Sequence, residues 1–313
     1  MAFMGIAAVV SHWREVKENF RIAREALLTE RPDTLILIDY PSFNLRMAAF
    51  CRKHLPQTKI VYYIPPKVWA WKKRRIHQIA RLCDEVLGIF PFEPAFYARY
   101  GYRCTYVGNP TAEEISNLKS QGSNPQSTIA LLPGSRPSEI SNSLPRMLEA
   151  ARRFPQYSLT VCAAPGIDDA FYTPYLHADE TLTRDTYATL QSAAAAIVNS
   201  GTATLETALL GCPQVAVYHL ALSWLIALIR RVGQPILFSI KHFTLVNIIA
   251  DKEVIKEYLA NEFTVENVAA ELERLLTDEA YKKEMLAQYK HLSDSLGALP
   301  ASATAADIIT SKR

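Results

Sequence analysis

Two short segments hold residue types suited to gripping an anion. In "ALLPGSRPSEI", residues 130–140, an apolar run stops at Pro133, and Gly134, Ser135 and Arg136 follow before a helical pattern begins. In "NSGTATLE", residues 199–206, Ser200, Gly201, Thr202, Ala203 and Thr204 lead into a second helical pattern, with Glu206 one turn further in. A glycine lets the backbone come close to a ligand, and the first N–H groups of a helix point at it; together they make a phosphate cradle. Arg136 adds a full positive charge, and Glu206 stands where a carboxylate can accept from ribose hydroxyls. The same Ser, Gly and Thr residues also serve as plain helix caps.

Other nucleotide and hydrolase signatures are absent. The chain has no G-x-G-x-x-G, no P-loop lysine pattern and no G-x-S-x-G, which disfavours NAD enzymes, P-loop NTPases and serine hydrolases. No Asp-x-Asp pair offers itself to a metal-bound diphosphate. Arg136 and helix dipoles are therefore expected to meet the negative charge, with no metal and no cofactor.

The first third of the chain carries different chemistry. "LILIDYPSFN" puts Asp39 at the end of an apolar run and Asn44 at the start of a helix. A carboxylate there suits a general base, although it could simply cap the helix. Further on, Lys72, Lys73, Arg74 and Arg75 are expected to open a helix over 71–83, the end where positive charge opposes the macrodipole. Beside them, Trp69 and Trp71 are residues that sit well at a lipid headgroup boundary, so this run reads as acceptor- or membrane-facing, or as a solvated face beside core tryptophans. The stretch 220–243 is apolar and then basic, which suits a buried helix or one lying in a membrane interface.

The elements that must position these residues alternate along the chain. Apolar runs over 34–38, 59–64, 85–90 and 105–107 predict strands, separated by helical patterns over 44–54, 71–83 and 94–100. Residues 111–127 are polar and rich in Gly, Pro, Ser and Asn, and read as a linker. The alternation then restarts, with strands predicted over 129–132, 157–161, 195–198 and 214–218. Helices are predicted over 144–154, 186–193, 202–210 and 265–276, the last capped by Thr264. Continuous apolar strands separated by helices imply parallel sheets covered on both faces.

Bulk properties agree with an ordinary globular chain of two domains. There are 313 residues, 49% hydrophobic and 21% charged, with a net charge of +3, too small for a dedicated nucleic-acid binder. Five scattered cysteines without a C-x-x-C pair read as core residues in a reducing compartment. No secretory signal or spanning helix is evident, so a cytoplasmic protein is expected.

In chain order, "MGIAAVV", "IDYPSFN", "VWAW", "PFE", "VGNP", "LLPGSRPSEI", "SGTATLE" and "VNIIADKEVIKEYL" resemble the motifs of the lipid-A-disaccharide synthases, from Met4 to about Leu276. That resemblance implies an inverting glycosyltransferase built on two Rossmann-like α/β domains facing across a cleft, the GT-B architecture. It implies transfer of 2,3-diacylglucosamine from UDP to 2,3-diacylglucosamine 1-phosphate by a protein peripheral to the inner membrane, and leaves monomer or homodimer open. Asp39 would be the base that deprotonates the acceptor hydroxyl, and Arg136 the arginine that meets the donor diphosphate. Residues 200–206 and Asn247 would complete the nucleotide site.

The implied domains are 1–110 for the acceptor, 111–127 as linker, 128–290 for the UDP-sugar, and 291–313 returning to the first domain. The family's opening strand-turn-helix unit has no counterpart after Met1, so the first domain is expected to be incomplete, which leaves the activity of the chain open. Departures from the family pattern are Ala8 in place of the usual Glu, His219 in place of a basic residue, and "LVN" at 245–247 in place of "LPN". Two other readings stand beside this one: another UDP-sugar enzyme of the same architecture, such as a UDP-N-acetylglucosamine 2-epimerase or a peptidoglycan glycosyltransferase, and a non-catalytic binder of UDP or anionic lipid.

Overall fold

A computed structural model describes residues 13–70, 72–118, 127–199, 201–219 and 242–311. The chain divides into two compact units, Met1–Asn109 with Leu299–Arg313, and Pro110–Ala298.

The first unit is built on four parallel strands in the order β1-β2-β3-β4: Thr34–Ile38, Lys59–Tyr63, Glu85–Gly88 and Thr105–Tyr106. Helices α1 (Trp13–Glu30), α2 (Pro41–His54), α3 (Arg75–Leu82) and α4 (Glu93–Ala98) alternate with them. Ile60, Val61 and Tyr62 of β2 are completely buried, as a two-sided apolar strand requires. At the edge of the described sheet, β1 buries Leu37 but leaves Ile36 44% and Ile38 55% exposed.

Helix α3 starts at Arg75, so the basic run does not open it as expected. Arg74 is the N-cap, and Lys72 turns the chain with a left-handed φ of 53°. Keeping most of the run outside the helix avoids stacking cations against its positive end.

The second unit holds six parallel strands in the order β10-β9-β8-β5-β6-β7. They are β5 (Thr128–Leu132), β6 (Ser158–Cys162), β7 (Thr181–Thr183), β8 (Ala195–Asn199), β9 (Gln214–Tyr218) and β10 (Glu257–Leu259). The chain runs outward from β5 through β6 to β7, then returns to pair β8 on the other side of β5. That reversal makes the boundary between β5 and β8 a topological switch point.

The stretch expected as a linker begins with α5 (Pro110–Ser116), which belongs to this unit; Pro110 starts it and Glu113 favours its first turn. Residues 119–126 lie outside the described residues. Helix α6 (Pro137–Ala151) starts seven residues before the predicted one, with a proline at its head and Pro145 inside it. α7 (Thr186–Ser192), α8 (Thr202–Leu209), α9 (Leu245–Ala250), α10 (Val265–Thr277) and α11 (Glu279–Leu296) complete the unit.

The chain then returns to the first unit as α12 (Ala301–Thr310), whose Ala305 packs on Val61, Leu87 and Val107. No helix among the described residues is long and apolar enough to cross a membrane.

Candidate functional site

Asp39 follows β1 directly, with its carboxylate exposed and its backbone held on several sides. The Tyr62 hydroxyl donates to the Asp39 carbonyl at 2.8 Å, and Asn44 Nδ2 donates to the carbonyls of Ile38 and Asp39 at 2.8 and 2.6 Å. Asp39 and Tyr40 both take left-handed φ values, 46° and 38°. Non-glycine residues rarely do so unless the surroundings impose it, and such strain gathers at functional positions. Asn44, expected to face the acceptor, instead uses its amide hydrogens to hold the turn that presents Asp39.

Trp69 does not face a membrane. It is 7% exposed, and its ring meets Phe90 and Phe92 edge-on at 5.9 and 5.2 Å. Its indole N–H donates at 3.2 Å to Glu93, a 1% exposed carboxylate that sequence reasoning did not single out. Burial pushes Glu93 up to about 7, against the N–H groups of Phe90, Trp69 and Ile89 and the charge of Lys67. Lys72, Lys73 and Arg74 are exposed and Arg75 is half-buried; Trp71 lies outside the described residues.

In the second unit the two anion-gripping segments follow β5 and β8 and so flank the switch point. Gly134 has a φ of 116°, and a Cβ there would stand 2.8 Å from the Glu139 side chain. Glu139 uses that space. It accepts from Ser135 N–H at 3.0 Å and from Arg136 Nη1 at 2.6 Å, fixing the guanidinium of a side chain that remains 40% exposed. Asn199, buried at the end of β8, donates to the Pro133 carbonyl at 2.7 Å and ties the two segments together. Sequence reasoning named neither Glu139 nor Asn199, though the carboxylate three residues after the Arg136 N-cap has capping-box spacing.

After β8, Gly201 has a φ of 103°, and among the described residues no atom lies within 4 Å of where a Cβ would stand, which suits the approach of a ligand. Thr202 is exposed beside it, and Ala203 is half-buried. Thr204 is buried, with its hydroxyl donating to the Gly201 carbonyl at 3.0 Å, so it supports the turn instead of meeting a ligand. Glu206 is half-buried; burial raises its pKa, and the Glu114 carboxylate adds to the shift. Ser200 lies outside the described residues.

Asn247 also departs from its expected role. It is completely buried, donates to the Ile255 carbonyl and to Glu257, and accepts from the N–H groups of Val254 and Ile255. Both amide hydrogens and the carbonyl oxygen are engaged, so the residue locks 244–257 into shape and offers nothing to a nucleotide.

Residues 1–309 match the family described as Lipid-A-disaccharide synthetase. The chain belongs to that family. It is a glycosyltransferase of lipid A biosynthesis, as the agreement with curated relatives also shows. It is 38% identical to the lipid-A-disaccharide synthase of Anaeromyxobacter dehalogenans (strain 2CP-C), over 95% of this chain and 80% of that one. The synthase of Geobacter sulfurreducens is 35% identical, over 99% of this chain and 83% of its own.

Among solved structures, the UDP-GlcNAc 2-epimerase from Neisseria meningitidis shares the fold with a TM-score of 0.61 at 10% identity, over 93% of this chain and 79% of that one. The glycosyltransferase of kitacinnamycin does so with a TM-score of 0.60 at 12% identity, over 97% and 82%. Two Rossmann-like domains of the GT-B kind are thus the architecture of this family member.

If Glu139 orients Arg136 for the synthetase's donor, Glu139→Gln should weaken UDP about threefold to tenfold, as loss of one charge-assisted bond implies. The same change should have no further effect once Arg136 is alanine. Calorimetric titration of the two single variants and the double variant measures this coupling, and additive losses would separate the two residues.

Proposed function

We propose that this chain joins 2,3-diacylglucosamine, carried on UDP, to a hydroxyl of 2,3-diacylglucosamine 1-phosphate, forming lipid A disaccharide 1-phosphate and UDP. Asp39 takes the proton from the acceptor hydroxyl, the new glycosidic bond forms as the bond to the diphosphate breaks, and Arg136 meets the charge that collects on departing UDP. The N-terminus of α8, opened by Gly201 and Thr202, holds the same phosphates, and Glu206 accepts from the ribose. The observation that carries this reading is the placement of Arg136 and Gly201 in the turns that follow the two strands flanking the switch point, turns that Asn199 joins. Lys72, Lys73, Arg74 and Arg75 attract the anionic surface of the inner membrane, to which the protein is held peripherally from the cytoplasm.

Product analysis tests the reaction. With donor and acceptor in EDTA, disaccharide and UDP should accumulate in equal amounts, and UDP release should need the acceptor. A free sugar epimer formed without acceptor would overturn the assignment, as would binding of UDP with no turnover.

A further inference from the structure

We infer that Glu93 is a positioning residue for the acceptor half of the reaction: its carboxylate clamps to the end of β3 the loop that leaves β2 beside Asp39, whose N–H donates at 3.3 Å to the Tyr63 carbonyl at the end of β2. This rests on the assignment of Asp39 as the base.

Ile64, where the loop leaves β2, and Lys72, ahead of α3, both take left-handed backbone, with φ values of 56° and 53°. A β-branched residue such as Ile64 adopts that conformation only when its surroundings over-determine it. Within 65–69 the loop buries Pro65, Pro66, Val68 and Trp69 and exposes Lys67. The Lys67 ammonium is nonetheless hemmed in by protein: burial lowers its pKa, while the Asp39 and Glu93 carboxylates raise it.

Glu93 holds the loop at Trp69. Its Oε2 accepts from Ile89 N–H at 2.8 Å and Phe90 N–H at 3.0 Å, just past β3, and its Oε1 accepts from the indole N–H. Gly88 makes room for it, since a Cβ there would lie 2.7 Å from Oε2. Three donors face two oxygens, an arrangement that only an ionised carboxylate satisfies fully. A glutamine would turn an NH₂ group toward one of the N–H donors, and protonation would place an O–H there.

Proton uptake by Glu93 therefore loosens the clamp, and with its titration near 7 the effect falls in the neutral range. The other titratable groups facing it are Lys67, Tyr97, Cys104 and Tyr106. Burial pushes both Cys104 and Tyr106 up to about 12 and raises Tyr97, so these three stay neutral across that range.

The test compares wild type, Glu93→Gln and Trp69→Phe for acceptor KM, kcat and UDP affinity between about pH 5.5 and 9. Trp69→Phe keeps the ring against Phe90 and Phe92 and removes the indole donor alone, so it carries the test even if Glu93→Gln folds poorly. Acceptor KM is expected to rise about threefold to tenfold in Trp69→Phe, with UDP affinity unchanged. Wild-type acceptor KM should climb as pH falls through about 7, and that limb should vanish in Glu93→Gln. An unchanged acceptor KM in Trp69→Phe would reduce the clamp to a structural contact, and a limb that persists in Glu93→Gln would overturn it. Failure of the base assignment shows separately, as full turnover in Asp39→Asn.

Discussion

Asp39→Asn is expected to lower turnover roughly 10²–10⁴-fold, the range a positioned general base contributes. UDP affinity should stay at the wild-type value. Asparagine is the replacement that isolates the chemistry, because it tolerates the left-handed φ of 46° better than other side chains and leaves the bonds from Tyr62 and Asn44 to the backbone in place. What it removes is the ability to accept a proton. Steady-state kinetics with both substrates and a UDP titration give the two readings. Near-normal turnover would return Asp39 to the role of a turn residue.

Arg136→Ala should weaken UDP about tenfold to a hundredfold while leaving uridine almost unchanged, because the guanidinium is assigned to the diphosphate alone. A charge-assisted hydrogen bond contributes ~1.5–3 kcal/mol net, which sets that range. EDTA should change neither value. Equal losses for uridine and UDP, measured by calorimetry, would move Arg136 out of the phosphate site.

Much of this architecture was legible before the structure. Strands β2 and β8 are apolar runs buried on two faces, and such runs stand out against amphipathic helices, so both appear within a residue or two of where they were predicted. Short edge strands such as β7 and β10, three residues each, carry too little pattern to be read that way. Helix α6 was predicted late because its first turns are polar and Pro145 looks like a breaker, although Pro137 is well suited to a first helical position.

The turns that carry Asp39, Arg136 and Gly201 were legible as turns because each comes within a few residues of the end of an apolar run. Trp69, Asn44 and Asn247 were misjudged for a common reason: residue type does not tell whether a polar group faces a ligand or its own backbone. Trp69 donates to a buried carboxylate, Asn44 to two carbonyls, and Asn247 closes a loop on itself. Glu93 lay in a motif already noticed, "PFE", but only its burial against three donors reveals what it holds.

In the proposed reaction a single displacement joins the sugars: the acceptor hydroxyl, deprotonated by Asp39, attacks the donor sugar as UDP leaves with its charge on Arg136. Nuclear magnetic resonance of the new glycosidic bond, on disaccharide made in EDTA, tests it most directly. One displacement predicts anomeric configuration opposite to that of the UDP-linked donor. Retention would require a covalent sugar-enzyme intermediate or a second displacement, and would contradict the role given to Asp39.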